Sequence, residues 1–148
     1  MTKVYLDACC LSRLSDDQTQ RRIREEAEAV ELVLGRTRAG EVQWISSEAL
    51  ADEIDRNPQL ERRLENLALL RLANETMEVD RKIARRAKEL EAAGYGAFDA
   101  LHLACAEMAQ VDVLLTTDDG FIRKASRRDG NPRVPILNPV SWSKGNLP

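Results

Sequence analysis

The sequence predicts an α/β sandwich built on a parallel sheet. Short apolar segments with the character of strands alternate with longer segments whose apolar residues recur every three or four positions. Strands that alternate with helices are typical of a parallel sheet covered by helices. The length of 148 residues suits one domain with a sizeable core. We therefore predict a single domain over residues 1–148, with a loop-like C-terminal tail from about residue 139 because prolines recur up to Pro148.

The first half of the chain contains two predicted strands. Residues 3–7 and 42–45 are short apolar segments of strand length. The helix between them is predicted from its apolar positions, which are Ile23, Ala27, Val30 and Leu34. Ser46 or Ser47 can cap a further helix, which must end before Pro58 because a residue ahead of proline disfavours the α conformation. Another helix follows at the leucines Leu60, Leu64 and Leu67.

The second half of the chain continues the alternation. An extended link at 76–79 precedes a helix that Asp80 can cap and Gly94 can end. Apolar residues lie on nearly every side of the next helix, at 98–109, which predicts a central buried helix. The remaining predicted elements are a strand at 113–115, a helix at 121–128 and a strand at 134–137.

Composition excludes several classes of protein. The chain has 22 basic and 25 acidic residues, so the molecule as a whole is not a basic nucleic-acid binder. A single histidine excludes a multi-histidine metal site. Three cysteines, two of them adjacent, cannot form a disulfide framework and lack the C-x-x-C spacing of a zinc site, so we expect a reducing cytoplasm. No apolar run approaches the length of a membrane span, so we expect no membrane association.

Three acidic residues are placed where a parallel sheet forms its sites. Asp7 and Asp118 follow predicted strands, and Asp99 lies at the start of the most apolar helix. Sites in open parallel sheets form at the carboxyl ends of the strands. Each residue also has a purely structural interpretation. Asp7 can simply end a strand, Asp99 can be the N-cap or a first-turn residue favoured by the helix dipole, and Asp118 can belong to a turn.

Helix geometry selects a fourth carboxylate, Glu53. Successive residues of a helix turn by about 100°, so Leu50 and Ile54 define the buried stripe of the helix that follows the second strand. Glu53 lies at the edge of this stripe, whereas the other acidic residues of the helix face solvent. The alternative is a surface glutamate beside the core. Four converging carboxylates would repel one another, and a divalent cation with a preference for oxygen ligands, Mg²⁺ or Mn²⁺, would relieve that repulsion. Such ions can activate a water and stabilise the leaving oxygen of a phosphodiester.

Four short motifs follow one another in order. They are a strand-end Asp, a Ser six residues before a Glu, a Gly-x-x-Asp-Ala-x-His-x-Ala helix start and a Thr-x-Asp-x-x-Phe turn. The segments that contain them are VYLDACCLSRLSDDQTQRRIREEAEAV, ISSEALADEI and YGAFDALHLACAEMAQVDVLLTTDDGF. Together they resemble the PIN domain family over about residues 3–138. This family comprises metal-dependent ribonucleases, among them the VapC toxins of toxin–antitoxin pairs.

The resemblance implies a fold, a chemistry and partners. The fold is a three-layer α/β/α sandwich with a parallel PIN-like sheet of four to five strands, and the activity is endonucleolytic cleavage of RNA with Mg²⁺ or Mn²⁺. The family's metal-binding acids match Asp7, Glu53, Asp99 and Asp118. Implied partners are RNA, an antitoxin protein and a second copy of the chain.

Many relatives carry Thr and Asn after the first Asp, where this chain has Ala8 and Cys9, so a non-catalytic PIN-like module that binds RNA or protein is the alternative. A receiver-like phosphoacceptor domain is disfavoured because no mid-chain strand ends in an Asp with a strand-end Lys to match.

Basic residues are concentrated behind the candidate site rather than spread over the chain. The segment from residue 121 onward has six basic residues and one acidic residue. Helical spacing pairs Arg123 with Arg127 and Lys124 with Arg128, which suits contact with an RNA backbone; a solvated helix face is the alternative. The cluster of Arg21, Arg22 and Arg24 precedes three glutamates and favours a helix surface or a partner contact.

Several other residues have a structural and a functional interpretation. His102 lies one turn after Asp99 in an apolar helix, which favours a core histidine over a site residue. Small buried thiols are expected for the cysteines. Thr116 or Thr117 can orient Asp118. The few aromatic residues do not predict a surface for base stacking.

Overall fold

A five-stranded parallel sheet organises the computed structural model, which describes residues 1–146. The strands are β1 (Thr2–Leu6), β2 (Val42–Ser47), β3 (Glu75–Met77), β4 (Val113–Leu115) and β5 (Ile136–Leu137). The helices are α1 (Ala8–Ser12), α2 (Arg21–Arg38), α3 (Glu48–Asp55), α4 (Leu60–Leu69), α5 (Arg81–Ala92), α6 (Ala97–Met108), α7 (Asp119–Ser126) and α8 (Pro139–Asn146), and a 3₁₀ turn covers Leu70–Leu72.

The strand order β3-β2-β1-β4-β5 places β1 at the centre of the sheet. Val4 pairs with Trp44 on one side and with Val113 on the other. Each strand pair is parallel, so the carboxyl ends of β1, β2 and β4 meet at one edge. This edge carries Asp7, the beginning of α3 and Asp118.

Alternating side chains of the strands separate two cores. Tyr5 packs with the buried faces of α5, α6 and α7, whereas Val4 and Leu6 pack on the opposite face with α2, α3 and Trp142 of α8. Because successive strand residues face opposite sides, a central strand with both faces apolar requires a helix layer on each side. The predicted three-layer sandwich with a parallel sheet is therefore confirmed.

The prediction of a loop-like tail from about residue 139 is wrong for residues 139–146, which form α8. Pro139 occupies the first turn of this helix, where its missing N–H is no loss. Asn138 Oδ1 accepts from the Val140 N–H at 2.8 Å, and Trp142 is buried in the core beside α2. The buried Trp142 thus anchors a helix that the recurring prolines made difficult to predict from the sequence. Pro148 lies outside the described residues.

Two shorter elements also differ from the prediction. The short helix α1 directly after Asp7 was not predicted, because five residues carry no periodicity. The extended link at 76–79 forms an edge strand at Glu75–Met77. Within residues 1–146 no helix has the length and apolar character needed to cross a bilayer.

Candidate active site

Asp7 lies directly after the central strand β1. Its backbone N–H donates to Leu115 O at 3.2 Å, so the residue is fixed to the sheet. Its side chain caps α1, because Oδ1 accepts from the Cys10 N–H at 3.2 Å and from the Cys9 thiol at 2.8 Å. Asp7 is buried, and burial raises its pKa well above the ordinary value, with the Cys9 sulfur raising it further.

Asp118 and Asp99 lie at the beginnings of two helices. Asp118 caps α7, with Oδ1 accepting from the Gly120 N–H at 2.8 Å and the Phe121 N–H at 3.2 Å. Asp99 is in the first turn of α6, whose N-cap is Gly96, so Asp99 is not itself the capping residue. The positive end of the helix dipole favours a carboxylate at each position.

The raised pKa of Asp99 reflects its burial and the charges of the other candidate acids. Burial raises the pKa of Asp99 to about 6, and the charges of Asp7, Asp118 and Glu53 raise it as well. His102 opposes this increase. The structure therefore brings the four sequence-predicted carboxylates close enough for their charges to act on a single titrating group.

Glu53 on α3 reaches towards α6. Its Oε1 lies 2.7 Å from His102 Nε2, and about a third of its side chain remains exposed. The histidine is fully buried, so this contact joins the protein core to the carboxylate at the cleft. His102 is thus a satisfied core histidine that also contacts a candidate site residue, which the sequence presented as two separate alternatives.

A buried chain of hydrogen bonds continues from His102 to the sheet. The Tyr5 hydroxyl lies 2.7 Å from His102 Nδ1 and 2.6 Å from Ser47 Oγ, and Ser47 Oγ accepts from the Leu50 N–H that begins α3. An ionised Glu53 can only accept, so Nε2 donates to it. A neutral ring then accepts at Nδ1 from Tyr5, and Tyr5 accepts from Ser47. These hydrogen bonds therefore link the Glu53 carboxylate to the beginning of α3, the helix on which Glu53 lies.

The segment after β4 is held by threonine and arginine. Thr116 Oγ1 accepts from the Asp118 N–H at 3.1 Å, which orients the cap of α7. Arg22 of α2 donates to both oxygens of Asp119 at 2.9 and 2.8 Å and to Thr117 O at 3.1 Å. The sequence around Arg22 favoured a helix surface or a partner contact and did not indicate Asp119, which lies almost a hundred residues away.

The cysteines differ from one another. Cys10 and Cys105 are buried as predicted, whereas Cys9 is only partly buried and its sulfur contacts the candidate site. Besides Asp7, it lies 3.4 Å from Thr116 Oγ1 and accepts from the Thr117 N–H at 3.3 Å. The thiol thus lies directly against the carboxylate of the first candidate acid.

Comparison with known proteins identifies the family. The sequence profile of the PIN domain matches residues 4–127, which is most of the chain.

The chain belongs to the PIN domain family.

One solved structure similar to this PIN domain is the crystal structure of VapBC2 from Rickettsia felis bound to a DNA fragment from its promoter. The two share 14% sequence identity with a TM-score of 0.55, over 91% of this chain and 98% of that chain. At this identity the likeness concerns the fold. No curated protein matches the chain by sequence.

The acids of this PIN domain fit a hard divalent cation by their chemistry. Every predicted ligand is a carboxylate, and the crowding of negative charge around Asp99 is what a cation would relieve. Within residues 1–146, however, no three His, Cys, Asp or Glu side chains are grouped closely enough to hold a metal ion. Capping and the contact with His102 occupy oxygens of Asp7, Asp118 and Glu53.

The helix behind the site begins and ends two residues earlier than predicted. α7 ends at Ser126, and Arg128 has a φ of 66°, so Lys124 and Arg128 do not share a helical face. Arg127 pairs with Asp129 at 2.8 Å. Arg123, Arg127 and Arg128 are exposed and Lys124 is partly buried, so the segment presents several cations to solvent beside Asp118.

Proposed function

We propose that the protein is a metal-dependent endoribonuclease that hydrolyses RNA phosphodiester bonds. One observation carries this proposal: Asp7 and Asp118 follow neighbouring parallel strands at the carboxyl edge of the sheet, where burial, their charges and that of Glu53 raise the pKa of Asp99. Membership of the PIN domain family supports the same chemistry. The four acids would hold Mg²⁺ or Mn²⁺, which when bound lowers the pKa of a water and neutralises charge on a phosphate.

The surrounding residues keep the carboxylates in place. The Cys10 N–H and the Cys9 thiol hold Asp7, and His102 holds one oxygen of Glu53. The clamp between Arg22 and Asp119 fixes the segment that carries Asp118. Carboxylates fixed before the substrate arrives cost little reorganisation during the reaction.

RNA would approach across α7. Arg123, Lys124, Arg127 and Arg128 lie after Asp118 in the chain and can contact phosphates. The phosphodiester backbone would then run from this segment to the acids.

Similarity to the VapBC2 structure supports a role as the toxin of a toxin–antitoxin pair. Under this proposal the partners are an antitoxin protein and a second copy of the chain. The whole chain would act as one domain in a reducing cytoplasm, where its three cysteines remain free.

A non-catalytic module is the second candidate. It is favoured by the absence, within residues 1–146, of three metal-ligating side chains in one group, and by Ala8 and Cys9 beside the first acid. In this case the domain would bind RNA or protein without cutting it.

A cleavage assay separates the two candidates. Single-stranded and structured RNA are incubated with the protein in Mn²⁺, in Mg²⁺ or in EDTA, and the products are resolved on a gel. We expect cleavage with either ion and none in EDTA. Asp7→Asn should abolish cleavage, and Asp55→Asn, an exposed acid on α3, is the matched control that should not. Cleavage by Asp7→Asn at the rate of the parent would contradict the proposal.

A further inference from the structure

A cleft of about 460 Å³ opens beside the candidate active site. Its lining includes Ala8, Cys9, Ser12, Glu53, Arg56 and Phe98. Two lining residues connect the cleft to the candidate acids. Glu53 is itself a candidate acid, and the Cys9 thiol donates to Asp7 at 2.8 Å. A ligand that occupied the cleft would therefore lie next to a phosphodiester bound at the carboxylates.

The cleft has an aromatic wall. Phe98 directly precedes Asp99 in the first turn of α6 and is partly exposed. The guanidinium carbon of Arg56 lies 5.2 Å from the centroid of its ring. The His102 ring stacks nearby, with centroids 6.2 Å apart and planes inclined by 24°. Arg56, which also pairs with Asp52 at 3.2 Å, lies over one face of this partly exposed ring. An aromatic ring with a guanidinium beside it is a surface on which another flat ring can stack when the side chain of Arg56 shifts to cover it.

Two polar side chains that can form further hydrogen bonds lie beside Phe98 in the cleft lining. Asn57 also lines the cleft, and its Oδ1 accepts from the Gln59 N–H at 2.9 Å, while its side-chain amide donates to no group within residues 1–146. The Ser12 hydroxyl likewise makes no hydrogen bond in the described part of the chain, although its carbonyl oxygen accepts from Ser15. Such groups can read the edge of a base held against the ring.

We propose that this cleft is a nucleobase subsite, in which one unpaired base of single-stranded RNA stacks on Phe98 and is covered by Arg56. This inference rests on the proposed function and adds the recognition of a base to the cleavage of a phosphodiester. An uncharged base can lie beside Glu53 without the repulsion that an acidic peptide would meet. A base within a duplex is already stacked and paired, so the subsite selects single strands.

A binding cycle tests the subsite without requiring cleavage. Fluorescein-labelled single-stranded RNA oligonucleotides, intact or with one abasic position scanned along the strand, are titrated with parent protein and Phe98→Leu in EDTA by anisotropy. For the parent, one abasic position should weaken binding by about tenfold, the order expected when one base–aromatic stack is removed. Phe98→Leu should bind intact RNA more weakly by a similar factor and bind the abasic strand little more weakly than that, because both changes remove the same interaction.

Two further variants sharpen the result. Phe98→Trp should restore binding, and its fluorescence should be quenched by intact RNA but less by the abasic strand. Leu64→Ala, which changes an exposed apolar residue of α4 outside the cleft lining, should bind as the parent does. Melting temperatures of all variants establish that they fold.

The outcomes distinguish this inference from the proposed function. If abasic RNA weakens parent and Phe98→Leu equally, or if Phe98→Leu binds intact RNA as tightly as the parent, the subsite is overturned even where cleavage occurs. If the cycle behaves as expected but no ion supports cleavage, base binding stands and the nuclease proposal fails.

Discussion

Asp99 is the residue on which the acidic site can be tested most directly. Its pKa of about 6 means that ionisation above this pH works against folding while no cation is bound. Asp99→Asn should therefore abolish cleavage and still raise the stability of the metal-free protein, by on the order of 1 kcal/mol. Thermal melts in EDTA measure this change, with the exposed Asp55→Asn as control.

The pH dependence of that gain has a definite sign. A carboxyl whose pKa is raised on folding contributes stability that is fully present below its unfolded pKa and is lost as the pH rises through the folded value. The advantage of Asp99→Asn over the parent should thus be large at pH 7, shrink between about pH 6 and pH 4, and vanish below. An Asn variant that melts below the parent at pH 7 in EDTA would indicate that Asp99 only stabilises the start of α6.

A Tyr5 variant tests whether the buried hydrogen-bond chain positions Glu53 or only stabilises the fold. Tyr5→Phe removes the hydroxyl between His102 and Ser47 and leaves two buried polar groups short of a partner, which should cost about 1–3 kcal/mol. Because His102 then holds Glu53 less firmly, kcat should fall while the KM for RNA changes little. The matched variant is Tyr95→Phe, which removes a hydrogen bond to Asp129 O but no contact of His102 or Glu53, and should reduce stability alone. Equal kcat in the two variants would count against a positioning role for the chain.

The candidate acids and the contacts around them differ in how far the sequence can predict them. Asp7, Glu53, Asp99 and Asp118 could be named from strand ends and helix angles, because local geometry fixes where each carboxylate points. The partnership of His102 with Tyr5 and the exposure of Phe98 beside Arg56 depend on how α3 and α6 pack, and no periodicity encodes that packing. Arg22 was missed for the same reason.

At the scale of elements, α7 combines two roles. Asp118 caps its beginning, and the cations Arg123, Lys124, Arg127 and Arg128 follow on the helix and directly after it. Replacing all four cations with Gln should weaken RNA binding and flatten its salt dependence, by up to about 0.7 in the logarithmic slope for each phosphate that the protein no longer neutralises. Binding is measured by anisotropy from low to moderate salt.

A second basic helix provides the control. Arg81, Lys82, Arg85 and Lys88 on α5 are equal in number and exposed, so changing them to Gln alters the net charge by the same amount. If both quadruple variants change the slope equally, the effect belongs to total charge, and α7 has only a solvated face.

The elements themselves were predictable where periodicity is long. The long helices α2, α5 and α6 lie close to the predicted positions, because α2 and α5 have an apolar stripe of several turns and α6 is apolar on nearly every side. α1 and α8 were missed, since one is too short for a stripe and the other is held by one buried tryptophan. Register and strand order were not derivable, since they follow from contacts between distant segments.

For the whole molecule, cation binding and folding should be coupled. If the four acids hold Mn²⁺, the ion stabilises the folded state by mass action, by about 2.7 kcal/mol at a concentration a hundred times its Kd. The melting temperature of the parent should rise with Mn²⁺ concentration, and Asp99→Asn or Asp118→Asn should respond much less. Calcium and Mn²⁺ titrations followed by differential scanning fluorimetry provide the comparison. A variant that responds like the parent would remove that acid from the ligand set.

Two of the candidate acids, Asp7 and Asp118, also cap helices, and this second role affects how the activity of such a protein can be lost in evolution. Asparagine caps a helix about as well as aspartate does, so Asp7→Asn or Asp118→Asn removes a negative charge while the cap persists. One nucleotide change in an aspartate codon suffices for either substitution. A lineage could therefore silence its chemistry in a single step and keep a folded domain, with every surface for partners intact, on which selection could act for binding alone.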